Sequence, residues 1–460
     1  MAESDPPNTN AKLAYEPPDD ERPTSGAPTE QNLEKELPTV RPLDYSPAPL
    51  EHDPYAAFRL PVYQQYISSF LLATLGTQVM SVALQWELAK QTHNPLVLGI
   101  LGLVQAVPVI VFALPAGHVS DTFSRKGVLM FTQVILVICP ALLALLVYFG
   151  RGSSHYIAAT FALVLINAIA LTFARPARQS YLPQLVSKEI FANAITWNST
   201  TFELASITGP AIGGLVIFKW GTVVALALSS VFTIVCLFLT ALLPAIPAPT
   251  QKEPLNFGTL VAGVKFVFSH DFLLPALTLD LFAVLFGGAT YLLPFYAADV
   301  LHVGSFGFGI LRAAPSVGAV AMAIVIAHLP PMQRAGRSLL LAVIGFGAAT
   351  IVFGLSHNFV LSLLMLGLTG AFDNISVVVR HTLVQMMTPD SMRGRVSAVN
   401  QVFIGSSNEL GGMESGFTAK WFGLVPSVVF GGIGTILVVI LIALRWPKLR
   451  KFGSLQQTHA

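Results

Sequence analysis

Six ionisable side chains lie inside long apolar stretches of the sequence, which is an unusual place for charge. They are Glu203, Asp280, Arg312, Asp373, Glu409 and Glu414. If such a stretch crosses a membrane, a charge near the bilayer centre costs on the order of 3 kcal/mol, so each group predicts a functional site. A carboxyl group in these surroundings is also suited to taking up and releasing a proton.

These groups suggest two kinds of chemistry. Asp280 is a candidate for binding a solute or a proton, and Arg312 is a candidate counter-ion for Asp280 or for an anionic solute. The alternative is a purely structural Asp280–Arg312 pair. Glu203 and Glu409 are candidate proton carriers, although each could instead hydrogen-bond a polar residue of a neighbouring helix. The other polar candidates for the same site are Gln78, Gln105 and Asp373.

The composition indicates where these groups lie. Of the 460 residues, 53% are hydrophobic and only 11% are charged, and the mean hydropathy is +0.67. Because soluble domains carry about 25% charged residues, lipid must cover most of this surface. Cys139 and Cys236 both lie in apolar stretches, which argues against a disulfide framework and against a zinc site.

Charge is divided unevenly along the chain. Residues 1–54 contain 12 of the 24 acidic residues and four bases, whereas the remainder contains 22 bases against 12 acids. The acidic, proline-rich segment predicts a disordered cytoplasmic tail without a signal peptide. The later bases are scattered singly between apolar stretches, a pattern that does not favour nucleic-acid binding.

Twelve stretches are long and apolar enough to cross a bilayer, which takes about 20 mostly apolar residues. They lie near residues 66–88, 96–119, 127–149, 156–177, 191–218, 221–245, 272–298, 304–328, 337–355, 358–379, 396–418 and 424–445. The fifth and the eleventh are the weakest, because each contains Asn, Ser and Glu. The sequence therefore predicts an all-α membrane protein.

The positions of Lys and Arg predict the orientation of these stretches. If the amino terminus is cytoplasmic, sixteen bases fall in connections on the cytoplasmic side, Arg380 among them, and four fall on the other side. Cytoplasmic connections of membrane proteins are enriched in Lys and Arg, so both termini are predicted to be cytoplasmic.

The chain also repeats itself. A shift of 202 residues pairs Gln78 with Asp280, Arg178 with Arg380, Asn198 with Asn400, Gly209 with Gly411 and Gly214 with Gly416, and a shift of 207 places Gln105 opposite Arg312. Each half contains six stretches, so both halves begin on the same side of the membrane. Two parallel halves around an axis along the membrane normal are typical of transporters.

This repeat predicts the domain boundaries. The predicted domains are a tail at 1–54, an amino-terminal half at 55–246, a linker with an amphipathic helix at 247–270, a carboxy-terminal half at 271–446 and a basic tail at 447–460. The linker is rich in proline, and its amphipathic helix is expected to lie along the inner membrane surface.

The loop at residues 117–126 carries the first motif. It resembles the G-x-x-x-D-R-x-G-R-K signature of the major facilitator superfamily, with Thr and Ser in place of the usual Arg and Gly. The resemblance implies that Asp121, Arg125 and Lys126 form a cytoplasmic latch between the two halves. The alternative is an ordinary solvated turn that obeys the charge rule.

The fifth stretch carries the second motif. Residues 209–214 read Gly-Pro-Ala-Ile-Gly-Gly, which resembles the G-P-x-x-G-G motif of antiporters in the same superfamily. Glycine lets helices approach closely and proline bends a helix, so we interpret Gly209 and Pro210 as gating residues. Packing of small residues without a gating role is the alternative.

Two further stretches narrow the resemblance. Residues 175–179, Arg-Pro-Ala-Arg-Gln, and residues 390–397, Asp-Ser-Met-Arg-Gly-Arg-Val-Ser, look like the subfamily that contains the enterobactin exporter. The resemblance covers about residues 58–450. It implies the twelve-helix major facilitator fold, a place in the bacterial cytoplasmic membrane and export of siderophores or other amphipathic solutes. Because the first and seventh helices usually line the cavity in this superfamily, Asp280 becomes the first choice for the site.

The sequence thus predicts a secondary transporter that exports a small amphipathic solute by alternating access. Proton antiport is the candidate driving reaction, although the stretch around Asn167 lacks the Arg that proton-driven drug antiporters often use. A multidrug or sugar-efflux carrier is one alternative. A membrane sensor or scaffold that kept the carrier fold is another.

Several motifs of other protein classes are missing from the sequence. There is no phosphate-binding loop, no G-x-S-x-G motif and no H-E-x-x-H motif, so we predict neither an enzyme nor a cofactor. The expected partners are a small-molecule solute, protons and the lipid bilayer, and the expected state is a monomer.

Overall fold

The computed structural model describes residues 53–246, 264–270, 272–330, 332, 334–389 and 392–453. The predicted acidic tail and most of the predicted linker lie outside the described residues. A short helix at 264–269 falls at the end of the predicted amphipathic helix. The predicted domain boundaries stay predictions, because residues from Pro54 onward form one compact unit.

Six long helices form the first half. They are α1 (Pro61–Thr92), α2 (Pro95–Thr122), α3 (Arg125–Phe149), α4 (Tyr156–Leu185), α5 (Lys188–Trp220) and α6 (Thr222–Leu242), and a 3-10 helix (Ala56–Arg59) precedes them. Proline begins both α1 and α2, where its missing N–H would have had no partner within the helix. The Asn94 side chain caps α2 by accepting a hydrogen bond from the backbone N–H of Leu96.

Six more helices form the second half. They are α7 (Leu273–Val300), α8 (Gly304–His328), α9 (Ala335–Leu355), α10 (Phe359–Met387), α11 (Arg393–Phe422) and α12 (Leu424–Arg445), and a short helix (Pro447–Lys451) follows. Helix α7 is interrupted. Its pieces are Leu273–Phe286, Ala289–Phe295 and a π-helical turn at Tyr296–Val300.

Eleven helices among the described residues are long and apolar enough to cross a membrane. Helix α11 has 30 residues and the length to do so, but its composition is more polar. Four of its polar residues are buried against other helices, namely Asn400, Ser406, Ser407 and Ser415. The predicted all-α membrane fold is confirmed, and the twelfth crossing stays a prediction.

The two halves are packed in the same way. In the first half, α1 packs against α5 and α6, α3 packs against α4 and α6, and α2 packs against α4. In the second half, α7 packs against α11 and α12, α9 packs against α10 and α12, and α8 packs against α10. Adding six to each helix number converts the first set of contacts into the second, which confirms the predicted parallel six-helix repeat.

The halves meet along two interfaces, α2 against α11 and α5 against α8. Glycines allow this approach, because a β-carbon added at Gly416 would lie 2.4 Å from the Gly99 Cα. A β-carbon at Gly214 would lie 2.8 Å from the Gly309 Cα. Small residues let helix backbones come together at such points. All four glycines lie toward the helix ends that were predicted to face outward.

The opposite end of the bundle is less tightly packed. A β-carbon at Gly117, near the end of α2, would meet no atom within 4 Å. None of residues 321–330, at the end of α8, is buried. The close glycine contacts between the halves thus lie at the predicted outer end.

Candidate functional site

A group of three hydrogen-bonding side chains lies where the halves meet. The Tyr291 hydroxyl of α7 is within hydrogen-bond distance of the Glu409 carboxylate of α11, and it is 3.1 Å from the Gln105 side-chain oxygen of α2. Tyr291 is only 8% exposed. Since a phenol has a single proton, Tyr291 can donate to one of these acceptors at a time. Gln105 belongs to the first half, so the group joins the two halves.

Glycines in α7 and α11 position Tyr291 in this group. A β-carbon at Gly412 would lie 2.6 Å from the Tyr291 ring, and one at Gly288 would lie 2.2 Å from the Gly411 carbonyl oxygen. Gly288 also lies at the interruption of α7. The interruption and the glycine pair of α11 together let the Tyr291 ring pack directly on the α11 backbone.

Two cationic groups surround the Glu409 carboxylate. Arg312 of α8 lies within electrostatic range of both Tyr291 and Glu409. Arg175 of α4 also lies within electrostatic range of Glu409. The predicted candidates Gln105, Arg312 and Glu409 are thus brought together, with Tyr291 as the link between them. Their roles in binding stay predictions.

A cavity of about 200 Å³ adjoins this group. Its wall includes the polar side chains of Arg312, Thr369, Asp373 and Asn408. Asp373 of α10 lies within electrostatic range of Glu203 of α5, which belongs to the other half. Ligand sites combine apolar walls with a few converging polar groups, and this cavity has both because phenylalanine side chains also line it.

Asp280 does not belong to this group. Its carboxylate pairs with Arg380 of α10, and the two residues are 5% and 2% exposed. The predicted Asp280–Arg312 pair is therefore wrong. Arg380 was predicted to lie in a connection, but α10 continues to Met387 and carries Arg380 within the helix. A binding role for Asp280 stays a prediction, and its buried partner supports a structural role.

Gln78 also lies outside the central group. Its side-chain nitrogen donates to the Ser206 hydroxyl at 3.2 Å. A β-carbon at Gly209 would lie 2.6 Å from the Gln78 Cβ, so this glycine lets α5 pack closely on α1. A binding role for Gln78 stays a prediction.

The fifth-helix motif contributes to the contact between the halves. A β-carbon at Gly309 of α8 would lie 2.5 Å from the carbonyl oxygen of Pro210. Gly214, at the end of the same motif, faces Gly309 as well. The motif therefore packs small residues at an interface that must separate if the halves move. This placement agrees with both the gating and the packing interpretation.

The loop motif makes its described contacts within the first half. The Lys126 ammonium donates to the carbonyl oxygens of Ala241 and Leu243 at 2.7 and 2.5 Å, at the end of α6. Asp121 is exposed and forms no ion pair with any described residue. The Arg125 side-chain Nε is buried and has no hydrogen-bond partner among those residues. The predicted latch between the halves stays a prediction.

Sequence reasoning missed two features. Arg380 repeats Arg178, and this signal could have indicated that both arginines belong to helices. The second feature is an ion pair at the predicted outer end, where Arg151 donates to both carboxylate oxygens of Glu87 at 2.8 and 2.9 Å. Its hydrogen bonds raise the pKa of Arg151 above the ordinary value. Gln91 donates to the same carboxylate.

Comparisons with known proteins identify the family. Residues 52–459 match the family described as transmembrane secretion effector. The chain is 25% identical over 398 residues to the enterobactin exporter EntS of Citrobacter koseri, covering 86% of this chain and 94% of the exporter. The same values hold for EntS of Escherichia coli O1:K1. These relatives are transporters rather than enzymes.

Solved structures agree on the fold. The nucleoside transporter NupG has a TM-score of 0.67 at 13% identity, covering 85% of this chain and 100% of NupG. A bacterial homologue of the human lysosomal transporter Spinster has a TM-score of 0.65 at 15% identity, covering 85% of this chain and 98% of that one. The family match and the repeated helix packing show that the chain belongs to the transmembrane secretion effector family of the major facilitator superfamily, whose members are multi-pass membrane transporters.

Proposed function

We propose that this protein exports a small amphipathic organic solute by alternating access of a central site. The observation that carries the proposal is the group of Gln105, Tyr291, Arg312 and Glu409, which assembles at the contact between the halves. A solute bound beside this group would be released when the halves separate at the opposite end. Transporters of this architecture place their sites at the repeat interface near the bilayer midplane.

The closed end of the bundle supports an orientation. We assign the end with the glycine contacts Gly99–Gly416 and Gly214–Gly309 to the outer side, because the Lys and Arg distribution predicts cytoplasmic termini. We take the carrier in this orientation to be inward-facing in the bacterial cytoplasmic membrane. An inward-facing carrier takes up solutes made inside the cell, as export requires.

The chemistry of the cavity supports a class of solute. Arg312 can bind an anionic group, while Phe346 and Phe353 supply aromatic surfaces and Asn408 supplies an amide. A solute with aromatic and acidic groups, such as a catecholate siderophore, fits this set. The cavity of about 200 Å³ would hold part of such a molecule, and the rest would lie toward the open end.

Protons are the proposed coupling ion. Glu203, Asp373 and Glu409 place three carboxyl groups near the contact between the halves, and two arginines, Arg175 and Arg312, lie near Glu409. Charge neutrality in a medium of low dielectric constant favours a proton on at least one of them. A carrier that exchanges solute for protons needs groups of this kind.

Uptake by inside-out vesicles tests the proposal. Vesicles containing the protein and energised by a proton gradient are given radiolabelled enterobactin, a hydroxamate siderophore or ethidium. Uptake of enterobactin that stops when a protonophore is added is expected. The variant Arg312→Gln should lower this uptake about tenfold to a hundredfold without reducing the amount of protein in the vesicles.

The other outcomes decide between the remaining interpretations. Uptake that ignores the protonophore would remove the proton from the proposal. Preferred uptake of ethidium would identify a multidrug carrier. No uptake of any of the three solutes by correctly folded protein would contradict the export of amphipathic solutes.

A further inference from the structure

We propose that Tyr291 is a proton-controlled link between the halves: when Glu409 is protonated, the Tyr291 hydroxyl turns to Gln105 and holds the outer interface closed. This inference rests on the proposed exchange of solute for protons, because it says how a bound proton changes the shape of the carrier. It assigns a positioning role to Tyr291 and a proton-binding role to Glu409.

The Tyr291 hydroxyl has two acceptors within reach, Glu409 and Gln105. An ionised Glu409 accepts a charge-assisted hydrogen bond, which is about twice as strong as a neutral one, so Tyr291 then donates to Glu409. A protonated Glu409 has an O–H of its own and can donate it to the Tyr291 oxygen. The phenolic proton is then free for the Gln105 oxygen, which lies 3.1 Å away. Every proton stays on its own oxygen, and only the hydrogen bonds change direction.

This change affects the contact between the halves because Gln105 lies in the interface itself. One helical turn before Gln105, a β-carbon at Gly102 would lie 2.6 Å from the backbone carbonyl oxygen of Glu409. The Tyr291–Gln105 hydrogen bond therefore joins α7 of the second half to α2 of the first, beside a close backbone contact between α2 and α11. Protonation adds this bond across the interface, and loss of the proton removes it.

The interruption of α7 gives Tyr291 room to turn. Tyr291 lies in the seven-residue helical piece Ala289–Phe295, between the glycines at 287–288 and the π-helical turn Tyr296–Val300. Single π-helical turns inside α-helices are frequent at functional sites. A short piece with irregular backbone at both ends can rotate slightly without moving the rest of the helix.

Several charged or polar groups lie on the helices around Glu409. Helix α8 contributes Arg312 and α4 contributes Arg175, while α7 contributes Tyr291. Helix α2 contributes the neutral Gln105, and α12 carries its arginine only at its end, Arg445. Asp373 of α10 interacts with Glu203 instead.

The direction of the effect agrees with an antiport cycle. A proton bound at Glu409 from outside would close the outer end and carry the protein to the inward-facing state. Release of the proton inside would remove the Tyr291–Gln105 bond and leave the outer end free to open once a solute is bound. A ligand shifts such an equilibrium only through its different affinity for the two states, and here the proton supplies that difference.

A distance measurement at the outer end tests the inference. Spin labels are placed at His93→Cys and Lys420→Cys, which are exposed and lie in different halves, after both native cysteines have been replaced by Ala. The protein is reconstituted in nanodiscs, and the ratio of short to long label distances is measured from about pH 5 to about pH 9. We expect the ratio to fall about tenfold as the pH rises, which corresponds to about 1.4 kcal/mol.

Variants show whether the pH dependence of the distance ratio comes from the Tyr291–Gln105 hydrogen bond or from a general effect of pH on the protein. Tyr291→Phe keeps the ring that packs on Gly412 but removes the hydroxyl, and the ratio should then no longer change with pH. Gln105→Met should have the same result. Glu409→Gln imitates the protonated form and should stay closed throughout. Tyr296→Phe is the matched control, because Tyr296 donates to the Gly354 carbonyl within the second half and should behave as wild type.

The contrary results are equally clear. A wild-type ratio that does not depend on pH, or a Tyr291→Phe variant that responds like wild type, would overturn the link. A pH-dependent Glu409→Gln would remove Glu409 as the proton site. Each result can be compared with vesicle uptake, because transport without the pH response leaves the export proposal intact, whereas a pH response without transport of any solute contradicts that proposal alone.

Discussion

The two halves have the same backbone packing but different charges at equivalent positions. In the first half, Gln78 is a neutral amide and the Arg178 guanidinium lies over the Phe70 ring at 5.4 Å. In the second half, the equivalent residues Asp280 and Arg380 form a buried ion pair. Near the centre of the bundle, the repeat likewise places the neutral Gln105 of the first half at the position equivalent to Arg312 of the second half.

The helix packing is shared by the two halves, whereas the ionisable side chains are not. The glycine contacts between the halves occur in both α2–α11 and α5–α8, so the repeat preserves the geometry of closing. Of the six ionisable side chains first identified, Glu203 lies in the first half and the other five lie in the second. The second half therefore carries most of the groups that could respond to a proton or to an anionic solute.

The largest expected effect concerns the buried ion pair. Arg380→Met leaves the Asp280 carboxylate buried without its partner, and removing one member of a buried pair costs about 3–5 kcal/mol. The double variant Asp280→Leu with Arg380→Met should recover most of that loss. Thermal unfolding of the purified protein measures both. The control in the first half is Gln78→Met, which removes one hydrogen bond worth about 1 kcal/mol.

The opposite result would change the role of Asp280. If Asp280→Asn is as stable as wild type but transports nothing, this result would support the predicted role of Asp280 in binding a solute or a proton. The contrast between the halves would then concern solute binding rather than stability.

The next effect compares the residues that the repeat places opposite each other at the centre. Arg312→Gln should lower the initial rate of solute uptake about tenfold to a hundredfold, because a hydrogen bond to a charged group contributes about 1.5–3 kcal/mol. Gln105→Met removes a neutral acceptor and should lower the rate only several-fold. Equal losses in the two variants would mean that both halves bind the solute alike.

A smaller effect should be the same in both halves. Gly102→Ala and Gly309→Ala each place a β-carbon within 2.6 Å of a backbone carbonyl oxygen across an interface. Overpacking of this kind costs about 1–3 kcal/mol, so both variants should favour the state that is open at the outer end. The label pair described above reports this shift. Gly117→Ala, which meets no atom within 4 Å, is the control and should have no effect.

The smallest effect concerns the ion pair of the first half. Arg151 is 44% exposed and Glu87 is 1% exposed, so solvent screens the pair from one side. Arg151→Gln should lower the free energy of unfolding by about 1 kcal/mol and reduce its dependence on salt. Since Glu87 raises the pKa of Arg151, this contribution should stay constant from about pH 6 to about pH 9. A loss as large as that for Arg380→Met would erase the contrast between the halves.

Helix boundaries illustrate how far the sequence could predict this site. The tenth stretch was expected to end near residue 379, since polar residues become frequent from Arg380 onward. Helix α10 nevertheless continues to Met387, because tertiary packing buries Arg380 and supplies Asp280 as its partner. Hydropathy reports the lipid-facing part of a helix, and it cannot detect a helix that continues inside the protein.

The central group was predicted in its members but not in its connections. Gln105, Arg312 and Glu409 were recognised because polar residues in apolar stretches are conspicuous. Tyr291 was not among the predicted site residues, since tyrosines are also common at membrane interfaces. Its contact with Glu409 depends on Gly412, whose missing side chain lets the ring reach α11.

The sequence by itself determined the all-helical membrane fold, the parallel repeat and most of the ionisable residues that lie within the helices. Each of these depends on local hydropathy or on regular spacing along the chain. Only the tertiary structure decided that Asp280 meets Arg380 and that Tyr291 meets Glu409, 118 residues away. Such pairs depend on the rotation of each helix about its axis and on the glycines that set the distances between helices, which no periodicity in the sequence specifies.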